Sequence, residues 1–214
     1  MRILLADDHK IVRGGFRRLI ESHPGWEVCA EASNGREAIE LALALRPEVA
    51  VLDLTMPELN GLEATRMIRK ELPETEVLIF TQHETDELIH ETLAAGARGY
   101  VLKTANESQL IAAIEALGRH QPFFTETVSE TLVDAFLESS PGRGDNSPYD
   151  ILTGREREVV QLLAEGKSNK EVAAALAVSV KTAEAHRSAA MHKLGLRSLA
   201  QLVRYAVRNL IIEP

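Results

Sequence analysis

Apolar residues along the first half of the chain alternate between two rhythms. Short β-branched and aliphatic runs at residues 3–6, 28–32, 49–52, 77–80 and 100–102 predict strands. Between and after them, residues 11–20, 37–45, 62–72, 87–95 and 108–117 place apolar side chains at helical spacing. Five consecutive strand–helix units predict an α/β domain with a five-stranded parallel sheet and helices on both faces. Pro73 and Gly96 supply stop signals at two of the helix ends.

The pattern changes after residue 120. Phe123, Phe124, Val128, Leu132, Val133, Phe136 and Leu137 recur at spacings near three and four, which predicts one more amphipathic helix starting at Thr125 or Thr127. Residues 139–148 then offer nothing apolar and read as a flexible linker rich in Ser, Pro and Gly. Beyond it the capping signals follow closely: Thr153 with Glu156, Ser168 with Glu171, Ser179, and Ser198 with Gln201. They predict four helices over residues 154–165, 169–176, 180–194 and 199–209, with Gly166 and Gly195 closing the first and third. The expected organisation is therefore an α/β domain at 1–120, a connecting helix and linker at 121–149, and an all-α four-helix domain at 150–214.

Composition changes this picture little, whereas the distribution of charge changes it more. With 45% hydrophobic and 26% charged residues, neither disorder nor a membrane class is indicated. No apolar run approaches 18 residues and no signal peptide precedes the first strand, so the expected location is cytoplasmic, with no membrane partner. The single Cys29 lies in a predicted strand and reads as a small core hydrophobe. The net charge of -8 divides unevenly: residues 1–120 hold 13 basic against 20 acidic side chains, 121–149 hold 1 against 5, and 150–214 hold 10 against 7. Only the last third is basic, which points to that part for any polyanionic partner.

In a parallel α/β sheet the ligand site lies beyond the carboxyl ends of the strands. Polar residues stand there after four of the five: Asp7 and Asp8, Asp53, Thr81, and Lys103. Three facing carboxylates repel one another, and a hard divalent cation with oxygen ligands, Mg²⁺ above all, relieves that repulsion. A threonine hydroxyl and a lysine ammonium suit an anion placed on Asp53, such as a phosphoryl group. Taken singly, Asp7 and Asp8 could cap the following helix, Tyr100 could be a core aromatic and Lys103 a solvated charge. Their common position after successive strands favours one site.

This constellation resembles the receiver domain of bacterial response regulators, a flavodoxin-like fold, over roughly residues 1–120. The resemblance implies that Asp53 accepts a phosphoryl group from a sensor histidine kinase. It also implies that Asp8, Asp53 and the Thr55 carbonyl ligate Mg²⁺ while Asp7 acts through water, and that Thr81 and Lys103 hold the phosphoryl oxygens. Tyr100 matches the family's aromatic switch, paired with Thr81. Thr55 and His83 stand where members differ in autodephosphorylation rate. Thr104 replaces a proline that often follows a cis bond; a cis non-proline bond costs roughly 3 kcal/mol, and the residues alone leave the isomer open.

The second and third helices of the last domain have helix-turn-helix spacing, which places the third in a DNA major groove. That helix is expected to bury Ala183, Ala190, Met191 and Leu194. The segments Leu-Thr-x-Arg-Glu-x-Glu-Val, Gly-Lys-Ser-Asn-Lys-Glu-Val-Ala, Ser-Val-Lys-Thr and His-Lys-Leu-Gly resemble the carboxyl-terminal domain of the LuxR and NarL groups of transcription regulators. That resemblance implies base-edge positions at Glu184, Ala185 and Ser188, and phosphate approach by Lys181, Thr182, Arg187 and Lys193. Gly154 stands where the family usually has proline, and Ala189 and Ala190 replace larger residues. The stripe Leu199, Leu202, Val203, Ala206, Val207, Leu210 either closes its own core or meets a second copy in a homodimer on double-stranded DNA.

The combined expectation is a phosphorylation-dependent, DNA-binding response regulator of the NarL/FixJ type that is not an enzyme beyond assisting its own phosphoryl transfer and dephosphorylation. One alternative is a phosphorylation-independent transcription factor with a degenerate receiver used for protein binding, against which the intact polar set argues. A Mg²⁺-dependent phosphohydrolase needs a second carboxylate two residues after the nucleophile, where this chain has Thr55.

Overall fold

The computed structural model describes residues 1–125, 128–129 and 151–213. These fall into two compact units, an amino-terminal α/β unit and a carboxyl-terminal helical one.

In the first unit β1 (Arg2–Ala6), β2 (Glu27–Ala32), β3 (Val49–Leu52), β4 (Glu76–Thr81) and β5 (Gly99–Leu102) alternate with α1 (Lys10–Glu21), α2 (Gly35–Leu45), α3 (Gly61–Glu71), α4 (Asp86–Ala94) and α5 (Glu107–Gly118). The strands are parallel in the order β2-β1-β3-β4-β5. β3 and β4 are buried on both faces, which is why they read as continuous apolar runs. Ile3, Leu5, Val49, Val51, Leu78, Phe80 and Val101 pack with Ile20 of α1 and with Leu110, Ala113, Ile114 and Leu117 of α5 in one core cluster. Phe16 meets Phe80 edge to face at 4.5 Å.

A sixth strand, β6 (Phe123–Phe124), extends the expected five by pairing in parallel with Gly99 and Tyr100. Read by spacing, these phenylalanines belong to a connecting helix. Instead α5 ends, His120 takes a left-handed conformation (φ 58°), and the chain turns back along the sheet edge. Of the predicted connecting helix, Val128 and Ser129 are helical, with the Ser129 amide donating to the Thr125 carbonyl at 2.9 Å. The remainder of that helix and the linker at 139–148 lie outside the described residues.

The second unit contains α6 (Gly154–Ala164), α7 (Asn169–Ala175), α8 (Val180–Lys193) and α9 (Leu199–Arg208). Both arms of the capping box are made at Thr153/Glu156 and at Ser168/Glu171. Ser179 and Ser198 each accept one backbone N–H, but Gln201 reaches past Ser198 to the Arg197 amide at 2.6 Å, so the expected fourth box is incomplete. Gly166 and Gly195 carry the positive φ expected of helix-closing glycines, 87° and 66°. The core is built from Val159, Val160, Leu163, Val172, Ala183, Ala190, Leu202 and Ala206. Met191 and Leu194, expected inside, are only half-buried. No helix among the described residues is long and apolar enough to cross a membrane.

Candidate functional site

The sheet reverses its winding direction between β1 and β3, and the crevice beyond their carboxyl ends is the place an open α/β sheet offers a ligand. Asp7 and Asp53 stand there as the residues following β1 and β3, joined by the Asp53 amide donating to the Ala6 carbonyl at 2.8 Å. Both are almost fully buried. The Asp53 carboxylate accepts from the Leu54 amide on Oδ1 (2.8 Å) and from Lys103 Nζ on Oδ2 (2.7 Å). Lys103 Nζ also lies 2.7 Å from Asp7 Oδ2, a close ion pair outside hydrogen-bond angles.

Burial pushes the Asp53 carboxyl up to about 6; Lys103 opposes this and Asp7 adds to it. Burial pulls Lys103 down, but the charges of Asp53 and Asp7 and the hydrogen bond to Asp53 outweigh it, so its ammonium is held above the ordinary lysine value. In this arrangement Lys103 is the cation that keeps two buried carboxylates together.

Asp8 is more exposed, and its Oδ1 lies 2.8 Å from His9 Nδ1. One ligand atom from each of Asp7, Asp8, His9 and Asp53 falls within 4.8 Å of the others. Carboxylate oxygens of this number and closeness fit a hard divalent cation. The capping alternative for the aspartates does not match the geometry: His9 is the N-cap of α1 without a side-chain cap, and Asp7 Oδ1 accepts from the His9 amide at 2.7 Å.

Thr81 is fully buried at the end of β4 and its Oγ1 accepts from the His83 amide at 3.2 Å. The Tyr100 ring is also fully buried, and its hydroxyl donates to the His83 carbonyl at 2.5 Å. Burial first, then Glu84, pushes the Tyr100 phenol above its ordinary value, so it remains a donor. Thr81 and Tyr100 thus hold the two sides of one peptide segment. Thr55 is buried two residues beyond Asp53, and the half-buried His83 ring has no hydrogen-bond partner on its Nε2. The Lys103–Thr104 peptide is trans.

Three contributors were not singled out from the sequence. His9 joins the acidic cluster, and its adjacency to Asp7 and Asp8 was the available signal. Arg13 Nη1 donates to the Asp7 carbonyl, one turn into α1. Gly61 opens α3 so close to Asp53 that a Cβ there would lie 2.0 Å from the Asp53 carbonyl oxygen.

In the helical unit, Lys181, Thr182, Glu184, Ala185 and Ser188 are exposed on α8 and Arg187 is half-buried. Asn169 of α7 donates to Glu184 Oε1 (3.4 Å) and accepts from Arg187 Nη1 (3.2 Å). Lys193 is engaged internally: its Nζ lies 2.7 Å from Oε2 of Glu156, the buried carboxylate that also completes the first capping box. Burial pushes Glu156 up, but Lys193 and Thr153 outweigh it and hold the carboxyl below its usual range. A depressed carboxyl stabilises the fold above its unfolded value, near 4.3, and that contribution disappears as pH falls through the lower folded value. Lys193→Met is expected to destabilise the helical unit by about 1–3 kcal/mol at neutral pH, because the buried carboxylate loses its charged donor. Thermal melts of the full chain between pH 7 and 3 check this; equal melting of variant and wild type at pH 7 would remove the pair from the account. On α9, Leu202 and Ala206 are buried, Val203 and Val207 half-buried, and Leu199 is exposed at 42%; Leu210, the last residue of the expected stripe, is half-buried but lies past the helix end with a φ of 51°.

Residues 3–115 match the family described as response regulator receiver domain, and residues 150–206 match the bacterial regulatory proteins of the luxR family. The oxygen regulatory protein NreC of Staphylococcus aureus is 39% identical over 216 residues, covering 100% of both chains. Among solved structures, a LuxR-family two-component response regulator from Aurantimonas sp. SI85-9A1 is 40% identical with a TM-score of 0.61, covering 64% of this chain and 98% of its own. RcsB of Salmonella enterica serovar Typhimurium, bound to promoter rprA in the presence of the phosphomimetic BeF3-, is 29% identical with a TM-score of 0.61, covering 96% and 97%.

Proposed function

The chain belongs to the two-component response regulators of the NarL/FixJ type, DNA-binding transcription regulators with a LuxR-type helical domain, and on that premise we propose that phosphorylation of Asp53 controls its dimerisation and DNA binding. The observation that carries this reading is the Asp53 carboxylate itself, fixed at the sheet's switch point by Lys103 and the Leu54 amide and flanked by Asp7 and Asp8. We assign the receiver to 1–120, the connector to 121–149 and the DNA-binding domain to 150–214.

In the proposed reaction an Asp53 oxygen attacks the phosphorus of a kinase phosphohistidine. The phosphorus–nitrogen bond breaks, its electrons return to the imidazole, and an acyl phosphate forms on Asp53. Mg²⁺, held by Asp8, Asp53 and the Thr55 carbonyl with Asp7 acting through water, would supply charge neutralisation for the transferred group. Lys103 and Thr81 contribute from the protein side, one as a charged donor and one as a hydroxyl donor to the phosphoryl oxygens. The Lys103 ammonium already bonded to Asp53 Oδ2 needs little rearrangement to do so. For Thr81, the hydroxyl that faces the His83 amide must turn to the new group, and this disturbs the segment that Tyr100 also grips. That segment is the two-state element we assign to the switch.

RcsB bound to promoter rprA in the presence of a phosphomimetic supports DNA binding in the phosphorylated state here, and we assign the reading of duplex DNA to α8 through Glu184, Ala185 and Ser188. Lys181, Thr182, Arg187 and Lys193 are assigned to phosphates, with Lys193 already shared by Glu156. The apolar side of α9, exposed at Leu199, is assigned to contact with a second copy. A cytoplasmic location follows from this partnership with DNA.

The test is DNA binding by the full chain with and without acetyl phosphate and Mg²⁺, in wild type and Asp53→Ala. Wild-type binding and dimerisation should strengthen with the phosphodonor and the variant should not respond. A wild type indifferent to the donor would sink the switch. Thr55 and His83 are assigned to the lifetime of the phosphoaspartate, since they lie two residues beyond Asp53 and Thr81. Thr55→Ala and His83→Ala are each expected to change the decay of phosphorylated protein several-fold; decay at the wild-type rate in both would remove them from that role.

A further inference from the structure

Asn169 lies on α7, outside the helix assigned to the groove, yet it touches two of that helix's candidate DNA-facing side chains. Its Nδ2 donates to Glu184 Oε1 at 3.4 Å and its Oδ1 accepts from Arg187 Nη1 at 3.2 Å. The partners fix which end of the amide is which: a carboxylate only accepts and a guanidinium only donates. Glu184 and Arg187 are three residues apart on α8, near enough on a helix to pair directly, but no ion pair within 4.0 Å joins them among the described residues. The amide stands between the two charges instead. One Glu184 oxygen is engaged, and the other makes no hydrogen bond or ion pair among the described residues.

We propose that Asn169 is a positioning residue for base reading: it holds Glu184 so that its second oxygen faces a cytosine amine, and holds Arg187 apart for a phosphate. This rests on the assignment of Glu184 to a base edge made above. Two long contacts at an exposed site add little to stability. Their effect is on orientation. A carboxylate on three rotatable bonds discriminates bases only if it is held in one position, and a neutral amide can restrain it without neutralising it. A lysine in place of Asn169 would neutralise the charge, and a direct Glu184–Arg187 pair would occupy both groups.

The test uses full-length protein and a duplex recovered by the wild type from a randomised pool, together with its single-base variants. Glu184→Ala first identifies the base pair whose preference depends on Glu184. Asn169→Ala is expected to lower discrimination at that same base pair about 3- to 10-fold, with an unchanged dependence of affinity on salt and an unchanged thermal melt. Asn169→Asp keeps an acceptor for Arg187 but sets a carboxylate against Glu184, and should lose at least as much discrimination. Wild-type discrimination in both Asn169 variants overturns the inference and leaves the base-reading assignment standing. So does a loss that is equal for all sequences with a shallower salt dependence, since that marks a phosphate contact. If Glu184→Ala changes no base preference, the base-reading assignment fails and takes the inference with it.

Discussion

Asp53→Asn is expected to abolish the response to acetyl phosphate and, in the same protein, to raise the melting temperature of the receiver when no divalent cation is present. The two effects have one cause. Burial holds the Asp53 carboxyl near 6 against an ordinary value of 3.8, so the folded state resists the ionised form that the unfolded chain accepts freely. For an acid whose folded value is raised, the folded state binds more protons, and stability falls as pH climbs from the unfolded value through the folded one. Above pH 7 the full deficit is present, at most about 3 kcal/mol. Asparagine keeps an oxygen for Lys103 and removes the charge, while Lys103 retains Asp7. The expected net gain is about 1–2 kcal/mol, several degrees of melting temperature for a domain of this size. The gain should vanish near pH 4, where wild type is protonated too. Added Mg²⁺ should stabilise wild type more than the variant, because it binds the folded carboxylates selectively. Melts at pH 4 and pH 8 with EDTA or Mg²⁺ decide the matter: a variant that melts at or below wild type at pH 8 in EDTA contradicts the electrostatic account of the site.

The same buried carboxylate explains why so much of this site can be read from the chain. Strand ends are fixed by hydrophobic runs, and a parallel sheet collects the residues that follow them whatever the loop lengths between. Asp7, Asp53, Thr81 and Lys103 are visible because each is the first polar residue after an apolar run or closes one. Tyr100 opens the last run instead of ending it, and only the resemblance to receiver domains marks it, three residues before Lys103. What the pattern does not carry is contact set by packing between distant elements. Lys193 reaches Glu156 across 37 residues of sequence, and Asn169 reaches Glu184 and Arg187 across 15 and 18. Surface spacing alone marks Lys193 as a free cation. β6 is hidden differently: two phenylalanines fit either a helical stripe or a two-residue edge strand, and the turn at His120 decides. These hidden contacts have consequences for experiment. Because Lys193 supports a buried carboxylate, its removal mixes folding with DNA affinity. Lys181, which makes no ion pair among the described residues, is the cleaner probe of a phosphate contact.

Gly61 sharpens this point, because local propensity and tertiary structure predict opposite signs for one substitution. Gly61 is the first residue of α3, where alanine is ordinarily better than glycine by about 1 kcal/mol. In this fold its amide donates to the Leu54 carbonyl at 2.8 Å, and Asn60 caps the helix by accepting from the Glu63 amide at 2.9 Å. That turn brings α3 against the end of β3. A Cβ on residue 61 would lie 2.0 Å from the Asp53 carbonyl oxygen, 2.9 Å from its carbon and 3.1 Å from Leu54 Cα. All three are backbone atoms, so no side-chain rotation relieves the contact, and the loop that carries Asp53 must shift by more than 1 Å. Gly61→Ala is therefore expected to destabilise the receiver by at least about 2 kcal/mol, the cost of overpacking where the backbone must move. Displacement of the acceptor carboxylate from Lys103 should also slow phosphorylation by acetyl phosphate by about 100-fold. Gly14→Ala and Gly15→Ala supply the control. Nothing lies within 4 Å of a Cβ at either position in α1, so both should melt at or above wild type. If Gly61→Ala behaved like those two, with wild-type phosphorylation, the close approach of α3 to Asp53 would have no part in forming the site.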